Sequence, residues 1–524
     1  MLTKVYTAAI QGIDAFPVTI ETHGDTGSLF TIVGLPDTAV KESHQRMITA
    51  IQQTGFKFPR RATTINLAPA DVKKEGAAFD LPMAIGVLTA HNLIEASNLA
   101  DYMIMGELSL DGSVLPVKGA LPMAIKAREM GFKRLIVPEA NVTEAAVVNK
   151  IEVYGVNTLA EATLLISGQS DLKPVVINTR EIFAAEAQAF DFDFSEVKGQ
   201  DSVKRALEVA CAGGHNILLI GPPGAGKSMM AKRIPSILPP LSLGEALETT
   251  KIHSVAGKLP RGSMLMTRRP FRTPHHTVSP VALVGGGANP MPGEISLANN
   301  GVLFLDEFPE FPRQVLEVMR QPIEDRIITV SRAKYSVDYP ASFMLVASMN
   351  PCPCGYYGHP TKPCTCPPGA VNKYMNRISG PLLDRIDLQV EIQPVAFDDM
   401  ANTTPAESSA AIRERVVKAR AIQQERFKGE KGIYSNAQMN TRLLKKYAWP
   451  DAEGLAKLKD RMEKLSMSAR AFDRILRVAR TIADLDYSQA LSVADAVAAP
   501  VRSRHIAEAI GYHALDCPDH GPTF

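Results

Sequence analysis

The sequence predicts a multi-domain α/β protein, in which a central α/β core lies between an N-terminal α+β domain and a C-terminal helical domain. Three observations predict this class. A short apolar strand at 216–220 runs through a glycine-rich loop into a helix. The first 165 or so residues alternate β-rich runs with helical patterns, and residues 438–510 are predicted to be helices rich in Ala, Leu, Arg and Lys. At 524 residues, the chain has room for about three domains of ordinary size.

Composition excludes several other classes. Apolar residues make up 45% of the chain and charged residues 21%, which is ordinary for a globular protein and excludes a disordered or collagen-like chain. Lys and Arg number 57 against 55 Asp and Glu, so nucleic-acid binding would depend on local patches. Residues 411–480, with eighteen basic and eight acidic side chains, are either solvated helix faces or such a patch. We find neither an apolar run that could span a bilayer nor a signal-peptide pattern, and we expect a cytoplasmic protein without membrane partners.

The chain divides into five predicted segments. They are the α+β domain at 1–167, a linker at 168–192, the core at 193–395 with a cysteine-rich insertion at 352–366, a helical lid at 396–510 and a tail at 511–524. In the first segment, β-rich runs predict strands at 5–10, 16–23, 29–35, 63–70 and 134–139. Helical patterns there occupy 41–54, 81–91 with Asp80 as N-cap, and 121–130. Further helices are expected at 180–190 and 406–428.

The glycine-rich loop at 221–228 fits the pattern G-x-x-x-x-G-K-[ST] in full, between a strand and a helix as that pattern requires. Backbone N–H groups of such a loop surround phosphate oxygens, and the helix N-terminus adds the positive end of its dipole. Lys227 is expected to reach the β- and γ-phosphates of a nucleotide, and Ser228 to bind Mg²⁺. The predicted nucleotide contacts are Gly221, Pro222, Pro223, Gly224, Ala225, Gly226, Lys227, Ser228 and Met229.

Two carboxylates follow a second apolar strand at 301–305. Asp306 is expected to support the Mg²⁺, and Glu307 to polarise the attacking water. The sequence therefore predicts hydrolysis of ATP and not binding alone. A solvated strand end is the alternative interpretation of this pair.

From residues 194–201 onwards, the core resembles AAA+ ATPases of the magnesium-chelatase-like branch. Asn350 ends a predicted strand and is similar to the polar sensor that such motors hold beside the γ-phosphate. Arg385 resembles the arginine finger that stabilises the phosphoryl group transferred in a neighbouring subunit, which requires a ring of subunits. An ion pair with Asp384 or Asp387 is the alternative role of Arg385.

In the helical lid, Arg470 resembles the second sensor, a lid arginine that touches the nucleotide. Further arginines follow at helical spacing and leave the choice open: Arg474, Arg477 and Arg480.

Over nearly its whole length, the chain resembles the ComM (YifB) family of bacterial proteins. The resemblance implies an N-terminal domain like that of Lon protease, a chelatase-type AAA+ core and a helical lid. It also implies ATP and Mg²⁺ as cofactors, a homo-hexameric ring, and branch migration of single-stranded or branched DNA as incoming strands are integrated in natural transformation. Two other classes stay open, a magnesium-chelatase-like motor subunit and a protein unfoldase.

The N-terminal domain contains the segment Gly-Glu-Leu-Ser-Leu-Asp-Gly-Ser-Val-Leu-Pro-Val, which resembles the strand–turn–strand of Lon-type protease domains. Lon-type chemistry needs a serine nucleophile and a lysine that accepts its proton. The place of the serine falls at Ala78 and that of the lysine near Leu121, so we expect a non-proteolytic domain. The alternative is a relocated dyad of Lys118 with Ser109 or Ser113.

Four of the six cysteines lie within fifteen positions as two C-x-C pairs, Cys352 with Cys354 and Cys364 with Cys366. Four thiolates suit tetrahedral Zn²⁺, and the Pro and Gly residues between them suit a tight knuckle. We expect a structural zinc site, in which His359 is able to replace one cysteine. Reduced thiols in a rigid loop are the alternative.

Two segments are candidate DNA contacts. Residues 326–340 alternate like a β-hairpin, and the ring helicases that this chain resembles carry a pore hairpin there, which would bring Arg332 and Lys334 to phosphates. Basic residues before the glycines at 285–287 would form a second pore loop: Arg268, Arg269 and Arg272. The histidine pair at 275–276 is expected to have no ligand role. A solvated hairpin with ordinary surface charges is the alternative for the first segment.

Overall fold

The computed structural model describes residues 2–71, 74, 76–179, 190–260, 264–287, 290–332, 335–395, 405–465 and 467–513. The strands, numbered in chain order, are β1 Leu2–Gln11, β2 Asp14–Asp25, β3 Phe30–Val33, β4 Ala62–Ala68, β5 Tyr102–Ile104, β6 Glu107–Leu108, β7 Val114–Leu115, β8 Arg134–Pro138, β9 Glu152–Val156, β10 Ile217–Ile220, β11 Phe271–Arg272, β12 Gly285–Gly286, β13 Met291–Pro292, β14 Val302–Leu305, β15 Ile327–Arg332, β16 Tyr335–Pro340, β17 Met344–Met349 and β18 Leu388–Glu391.

The α-helices are numbered in the same way. They are α1 Thr38–Gln53, α2 Asp80–Ala90, α3 Ala120–Glu129, α4 Val142–Ala145, α5 Leu159–Ile166, α6 Asp201–Gly213, α7 Lys227–Ile237, α8 Leu243–Val255, α9 Pro280–Val284, α10 Glu294–Leu297, α11 Arg313–Val318, α12 Arg320–Asp325, α13 Ala370–Met375, α14 Gly380–Leu383, α15 Ser409–Arg426, α16 Thr441–Tyr447, α17 Ala452–Leu465, α18 Ala469–Tyr487, α19 Val493–Val497 and α20 Ser503–Gly511.

The N-terminal part of the chain forms a mixed seven-stranded sheet in the order β3-β4-β2-β1-β5-β8-β9. All five strands predicted for this part are present, as β1, β2, β3, β4 and β8. The predicted strand–turn–strand is also present, because β6 pairs antiparallel with β7. Sequence patterns missed β5 and β9, which are short and almost fully buried and therefore show no alternation of polar and apolar residues.

The predicted N-cap role of Asp80 is wrong. Asp80 is the first residue of α2, and its cap position is occupied by Phe79, which makes no side-chain cap bond. The buried carboxylate of Asp80 instead accepts hydrogen bonds from Arg46 Nε at 2.8 Å and from the hydroxyl of Ser43, both on α1. A hydrogen bond from a charged arginine stabilises a buried carboxylate more than a cap bond to its own helix does. The Asp80 side chain therefore points towards α1.

A second sheet, entirely parallel, has the order β11-β14-β17-β10-β18. Its strand β10 leads into the glycine-rich loop and is buried at every position. Ile217 and Leu219 pack into one apolar core that continues into the C-terminal helices, whereas Leu218 and Ile220 pack into a second core on the opposite face. The sheet is thus covered on both sides, as parallel sheets are.

The C-terminal helices are joined by a buried ion network. Asp484 on α18 accepts hydrogen bonds from Arg426 on α15, at 2.6 and 2.7 Å, and from Arg480 on its own helix, at 2.7 and 3.0 Å. All three side chains are 0% exposed. Burial acts to raise the pKa of Asp484, but the charges of Arg480 and Arg426 outweigh it and hold that pKa below its ordinary value.

Several sequence expectations concern segments that are not described. The predicted helix at 180–190 lies outside the described residues apart from Phe190, as does most of the predicted tail. In the described part of the chain, no helix is both long and apolar enough to cross a membrane. The five segment boundaries stay predictions.

Replacing Asp484 with Asn removes the charge that two buried guanidinium groups share. We expect Asp484→Asn to lower the free energy of unfolding of the helical region by about 3–5 kcal/mol, because Arg426 and Arg480 stay buried without a counterion. Urea unfolding followed by the fluorescence of Trp449, the single tryptophan of the chain, measures this change.

The control for this prediction is Asp460→Asn, which breaks an exposed pair with Lys464. It should leave the unfolding midpoint unchanged, since exposed pairs contribute little. Equal shifts for the two substitutions would contradict the role given to the buried network.

Candidate nucleotide-binding site

Three neighbouring strands of the parallel sheet end at one edge, and polar side chains follow each of them. The glycine-rich loop follows β10, Asp306 follows β14, and Asn350 follows β17. Since β17 lies between β10 and β14, these groups are brought together although Ser228 and Asp306 are 78 positions apart in sequence and Lys227 and Asn350 are 123 apart. Ligands of parallel α/β sheets bind at this edge.

The loop itself depends on glycine at three positions. Gly224 and Gly226 have φ of +80° and +88°, a left-handed conformation that side chains rarely adopt. A Cβ on Gly221 would lie 2.6 Å from the carbonyl oxygen of Ile392, so only glycine lets β10 lead into the loop here. The helix α7 then starts at Lys227, and its first N–H groups point towards the loop.

Lys227 is held by three acceptors. Its ammonium donates to the carbonyl oxygens of Gly221 at 2.7 Å and Pro222 at 2.9 Å, and to Asn350 Oδ1 at 3.0 Å. Burial lowers the pKa of Lys227, and the nearby charge of Asp306 opposes that shift. An anionic ligand would stabilise the charge of this buried ammonium. Because Asn350 bonds Lys227, its side chain lies within reach of an anion bound there.

Ser228 and Asp306 form the oxygen-rich part of the site. The Ser228 hydroxyl donates to Asp306 Oδ2 at 2.6 Å, and the Ser348 hydroxyl donates to the other oxygen of the same carboxylate. Hydroxyl and carboxylate oxygens are the donors that Mg²⁺ prefers, so the pair predicted as the metal site fits that ion. Ser348 was missed by the sequence analysis because a serine inside a buried strand carries no motif.

Glu307 follows Asp306 in a left-handed conformation, with φ of +53°, and its side chain is 59% exposed. This geometry turns the carboxylate out of the sheet edge. Its Oε2 lies 3.3 Å from Nδ1 of His276, a histidine for which the sequence predicts no ligand role. Thirty-one positions separate the two residues and no motif connects them, so only the fold reveals the contact.

Arg385 and Arg470 lie at a different place. Together with Arg474 and Arg477 they line a cavity of about 350 Å³. Arg385 donates to Pro381 O at 2.6 Å and forms an ion pair with Glu324, not with Asp384 or Asp387. Among the described residues, neither Arg385 nor Arg470 forms a hydrogen bond or ion pair with the glycine-rich loop.

The lid arginines differ in how far their side chains are exposed to solvent. Arg470 is 61% exposed and lies 3.9 Å from Asp384 Oδ2. The arginines that follow it are engaged inside the chain: Arg474 donates to the carbonyl oxygens of Leu383 and Ile386, Arg477 to that of Met439, and Arg480 to Asp484. Arg470 is therefore the member of the series that is open to a ligand.

The predicted DNA contacts have varied surroundings. The hairpin at 326–340 is confirmed, because β15 and β16 pair antiparallel, but Lys334 and the side chain of Arg332 lie outside the described residues.

Arg268 stacks over Phe190, with 5.9 Å between the guanidinium carbon and the ring centroid. Arg269 is bonded to Glu245, and Arg272 to Glu294 at 2.6 and 2.8 Å. Both arginines thus have structural partners, and their DNA contacts stay predictions.

The four cysteines of the insertion converge on one point. Their sulfur atoms all lie within 4.8 Å of one another, which is an arrangement able to hold a metal ion. His359 is not part of this group, and its Nδ1 accepts hydrogen bonds from the backbone N–H groups of Thr361 and Lys362.

Two of the Lon-like positions line a cavity of about 480 Å³ between the N-terminal sheet and the core. Ala78, at the place expected for a serine, and Lys118 both belong to its lining, whereas Ser109 and Ser113 belong to the turn between β6 and β7 and do not. Leu121 is fully buried in α3. The relocated dyad gains no support from this geometry.

Changing Glu307 to Gln removes the exposed carboxylate and keeps the size of the side chain. We expect Glu307→Gln to bind ATP as tightly as wild type but to hydrolyse it at least about 100-fold more slowly, because a neutral amide polarises the attacking water less than a carboxylate does. Single-turnover hydrolysis and equilibrium binding of a fluorescent ATP analogue separate the two effects.

Glu310→Gln is the matched control, because Glu310 lies three positions on and pairs with Arg377 at 2.7 Å. It should leave the hydrolysis rate near that of wild type. An active Glu307→Gln protein would assign the water-orienting role to another residue.

Comparisons with known proteins identify relatives of this chain. Models of the magnesium chelatase subunit ChlI match residues 193–400, 19–141 and, for its C-terminal part, 406–513. Competence protein ComM of Haemophilus influenzae is 41% identical over 517 residues, 98% of each chain, and YifB of Escherichia coli is 41% identical over 520 residues, 98% of this chain and 97% of that one. Lon protease 2 of Bacillus subtilis is 28% identical over 139 residues, 26% of this chain and 24% of that one. The chain therefore belongs to the ComM/YifB family of magnesium-chelatase-like AAA+ proteins.

Proposed function

We propose that the chain is a Mg²⁺-dependent ATP hydrolase that acts as a ring-shaped DNA motor and drives branch migration while incoming DNA is integrated. The observation that carries the hydrolase is the hydrogen-bonded set of Lys227, Asn350, Ser228 and Asp306, with Glu307 exposed beside it. These residues supply what phosphoryl transfer needs: a buried cation, a polar sensor, oxygen ligands and a carboxylate that orients water.

Each residue has a defined task in the proposed reaction. Lys227 exchanges its carbonyl and amide acceptors for phosphate oxygens, and Asn350 is left free to report on the γ-phosphate. Ser228 and Asp306 would hold Mg²⁺, which supplies charge neutralisation between the phosphates. Glu307 accepts a hydrogen bond from water and aims it at the γ-phosphate. The proposed cofactors are thus ATP and Mg²⁺, together with a structural Zn²⁺ at the four cysteines.

Assembly into a ring is the second part of the proposal. Arg385 and Arg470 line one cavity away from the glycine-rich loop, so a single chain offers two separate halves of a phosphate site. Two subunits arranged head to tail would bring these halves together, and head-to-tail contacts that close produce a ring. Arg385 and Arg470 would then both stabilise charge on the nucleotide of the next subunit. A homo-hexamer is the proposed ring.

DNA as the partner is supported by the position of the hairpin. The hairpin β15–β16 precedes β17 by three residues, and Asn350 follows the end of β17, so in the proposed motor a load on the hairpin would reach the nucleotide sensor through this strand. Arg332 pairs with Tyr335 at the turn of this hairpin. A relative that matches over nearly the whole chain is named a competence protein, which fits work on DNA in the cytoplasm.

A magnesium-chelatase motor is the second candidate, because all three matching family models describe the chelatase subunit ChlI. ATP hydrolysis stimulated by a porphyrin and indifferent to DNA would favour it. Stimulation by casein instead would favour an unfoldase.

We expect single-stranded and forked DNA to raise the ATP hydrolysis rate severalfold, and the rate to fall to background in Lys227→Ala. Arg332→Ala should lower the ratio of DNA-stimulated to DNA-free rate, and the stimulation should weaken as salt rises, since phosphate contacts are screened. Arg504→Ala, at an exposed lid arginine that pairs with Asp486 and lies outside residues 411–480, is the control. If neither DNA raises the ATP hydrolysis rate of wild type, the proposal of a DNA motor is wrong.

A further inference from the structure

The cysteine cluster lies directly beside the nucleotide site. Its first ligand candidate, Cys352, stands two positions after Asn350 and is completely buried. The insertion ends shortly before α13, whose Tyr374 lies near the backbone N–H of Asn350. Both ends of the insertion therefore lie close to the residue that bonds Lys227.

The sulfur positions fit a tetrahedral ion. Cys352 Sγ lies 3.3 Å from Cys354 Sγ and 3.7 Å from Cys364 Sγ, and the last two are 3.5 Å apart. Four sulfurs about 2.3 Å from a central Zn²⁺ would be roughly 3.8 Å from one another, whereas a disulfide would bring two of them to about 2.05 Å. The separations match shared coordination and are too long for a bond.

A turn within the cysteine cluster packs closely against the glycine-rich loop. Gly355 has φ of +83°, and a Cβ on it would lie 2.5 Å from Pro223 Cδ. The N–H of Gly355 donates to the carbonyl oxygen of Cys352 at 3.0 Å, and the N–H of Tyr357 donates to Cys352 Sγ at 3.3 Å. The backbone that touches Pro223 is thus fixed to a ligand candidate at both ends.

We propose that one Zn²⁺ bound by Cys352, Cys354, Cys364 and Cys366 sets the ATP affinity of this site, by holding Gly355 against Pro223. The inference rests on the proposed ATPase and gives the cluster a positioning role in it. With zinc bound, the short turn at 352–357 is rigid, Pro223 has a fixed neighbour, and the loop keeps the shape that surrounds phosphate. Without zinc, a weak thiol contact of 3.7 Å is what remains between Cys352 and Cys364 among the described contacts, and the turn can move away from the loop.

The test uses the full chain, purified without chelator. Zinc content by mass spectrometry should be about one ion per chain in wild type, and below a tenth of that in the double variant Cys364→Ser and Cys366→Ser. Stripping wild type with a strong chelator, then removing the chelator and restoring Mg²⁺, should weaken binding of a fluorescent ATP analogue about tenfold or more, and added Zn²⁺ should restore it. This reversal on unmodified protein does not depend on the folding of any variant.

A glycine pair separates the contact from the metal. Gly355→Ala should keep its zinc yet bind ATP more weakly, because the new methyl displaces Pro223. Gly369→Ala is matched to it, since Gly369 has φ of +78° at the other end of the insertion but open space around its Cβ position. Gly369→Ala should retain both zinc and ATP affinity.

Three results would overturn the inference: wild type without zinc, ATP affinity unchanged after zinc removal, or equal effects of the two glycine substitutions. Each of them leaves the proposed ATPase standing. Wild type that carries zinc and binds no ATP would overturn the ATPase and this inference with it.

Discussion

The parallel order of three strands is the constraint on which the rest of the site depends. Because β14, β17 and β10 run in the same direction, Asp306, Asn350 and the glycine-rich loop all come out at one edge of the sheet. The buried ammonium of Lys227 has three donors and finds three acceptors there, which a buried cation requires. An antiparallel neighbour would send one of these groups to the opposite edge and leave the ammonium unsatisfied.

Other features of the molecule are arranged around that edge. The cysteine insertion leaves the sheet immediately after Asn350 and returns to touch Pro223, so it lies over the loop that would hold the phosphates. The β15–β16 hairpin joins the same central strand from its other end. Arg385 and Arg470 lie apart from the edge, and in the proposed ring they would act on the nucleotide of a neighbouring subunit. Nucleotide, metal, DNA and neighbouring subunit would thus all act on the residues around β17.

Much of the site was predictable because its parts are local. The glycine-rich loop is a contiguous motif, and Asp306 and Asn350 each end an apolar strand, so their meeting follows from parallel strand order. Contacts between distant segments had no such signal: His276 beside Glu307, Glu324 beside Arg385, Ser348 beside Asp306 and Gly355 beside Pro223. The predicted N-cap role of Asp80 was wrong for the same reason, because its carboxylate bonds partners on another helix and not the terminus of its own helix. Strands such as β5 were missed because full burial removes the alternation that marks an exposed sheet face.

The central claim is that one chain carries two halves of a phosphate site that meet only between subunits. Mixing Lys227→Ala chains with Arg385→Ala chains tests it most directly, once each variant alone is shown to assemble and to be inactive. If the arginine acts on the neighbouring subunit, random mixed rings contain complete interfaces, and hydrolysis should recover to about a quarter of the wild-type rate. If the mixture stays as inactive as its components, Arg385 serves the nucleotide of its own chain or none, and the account is wrong.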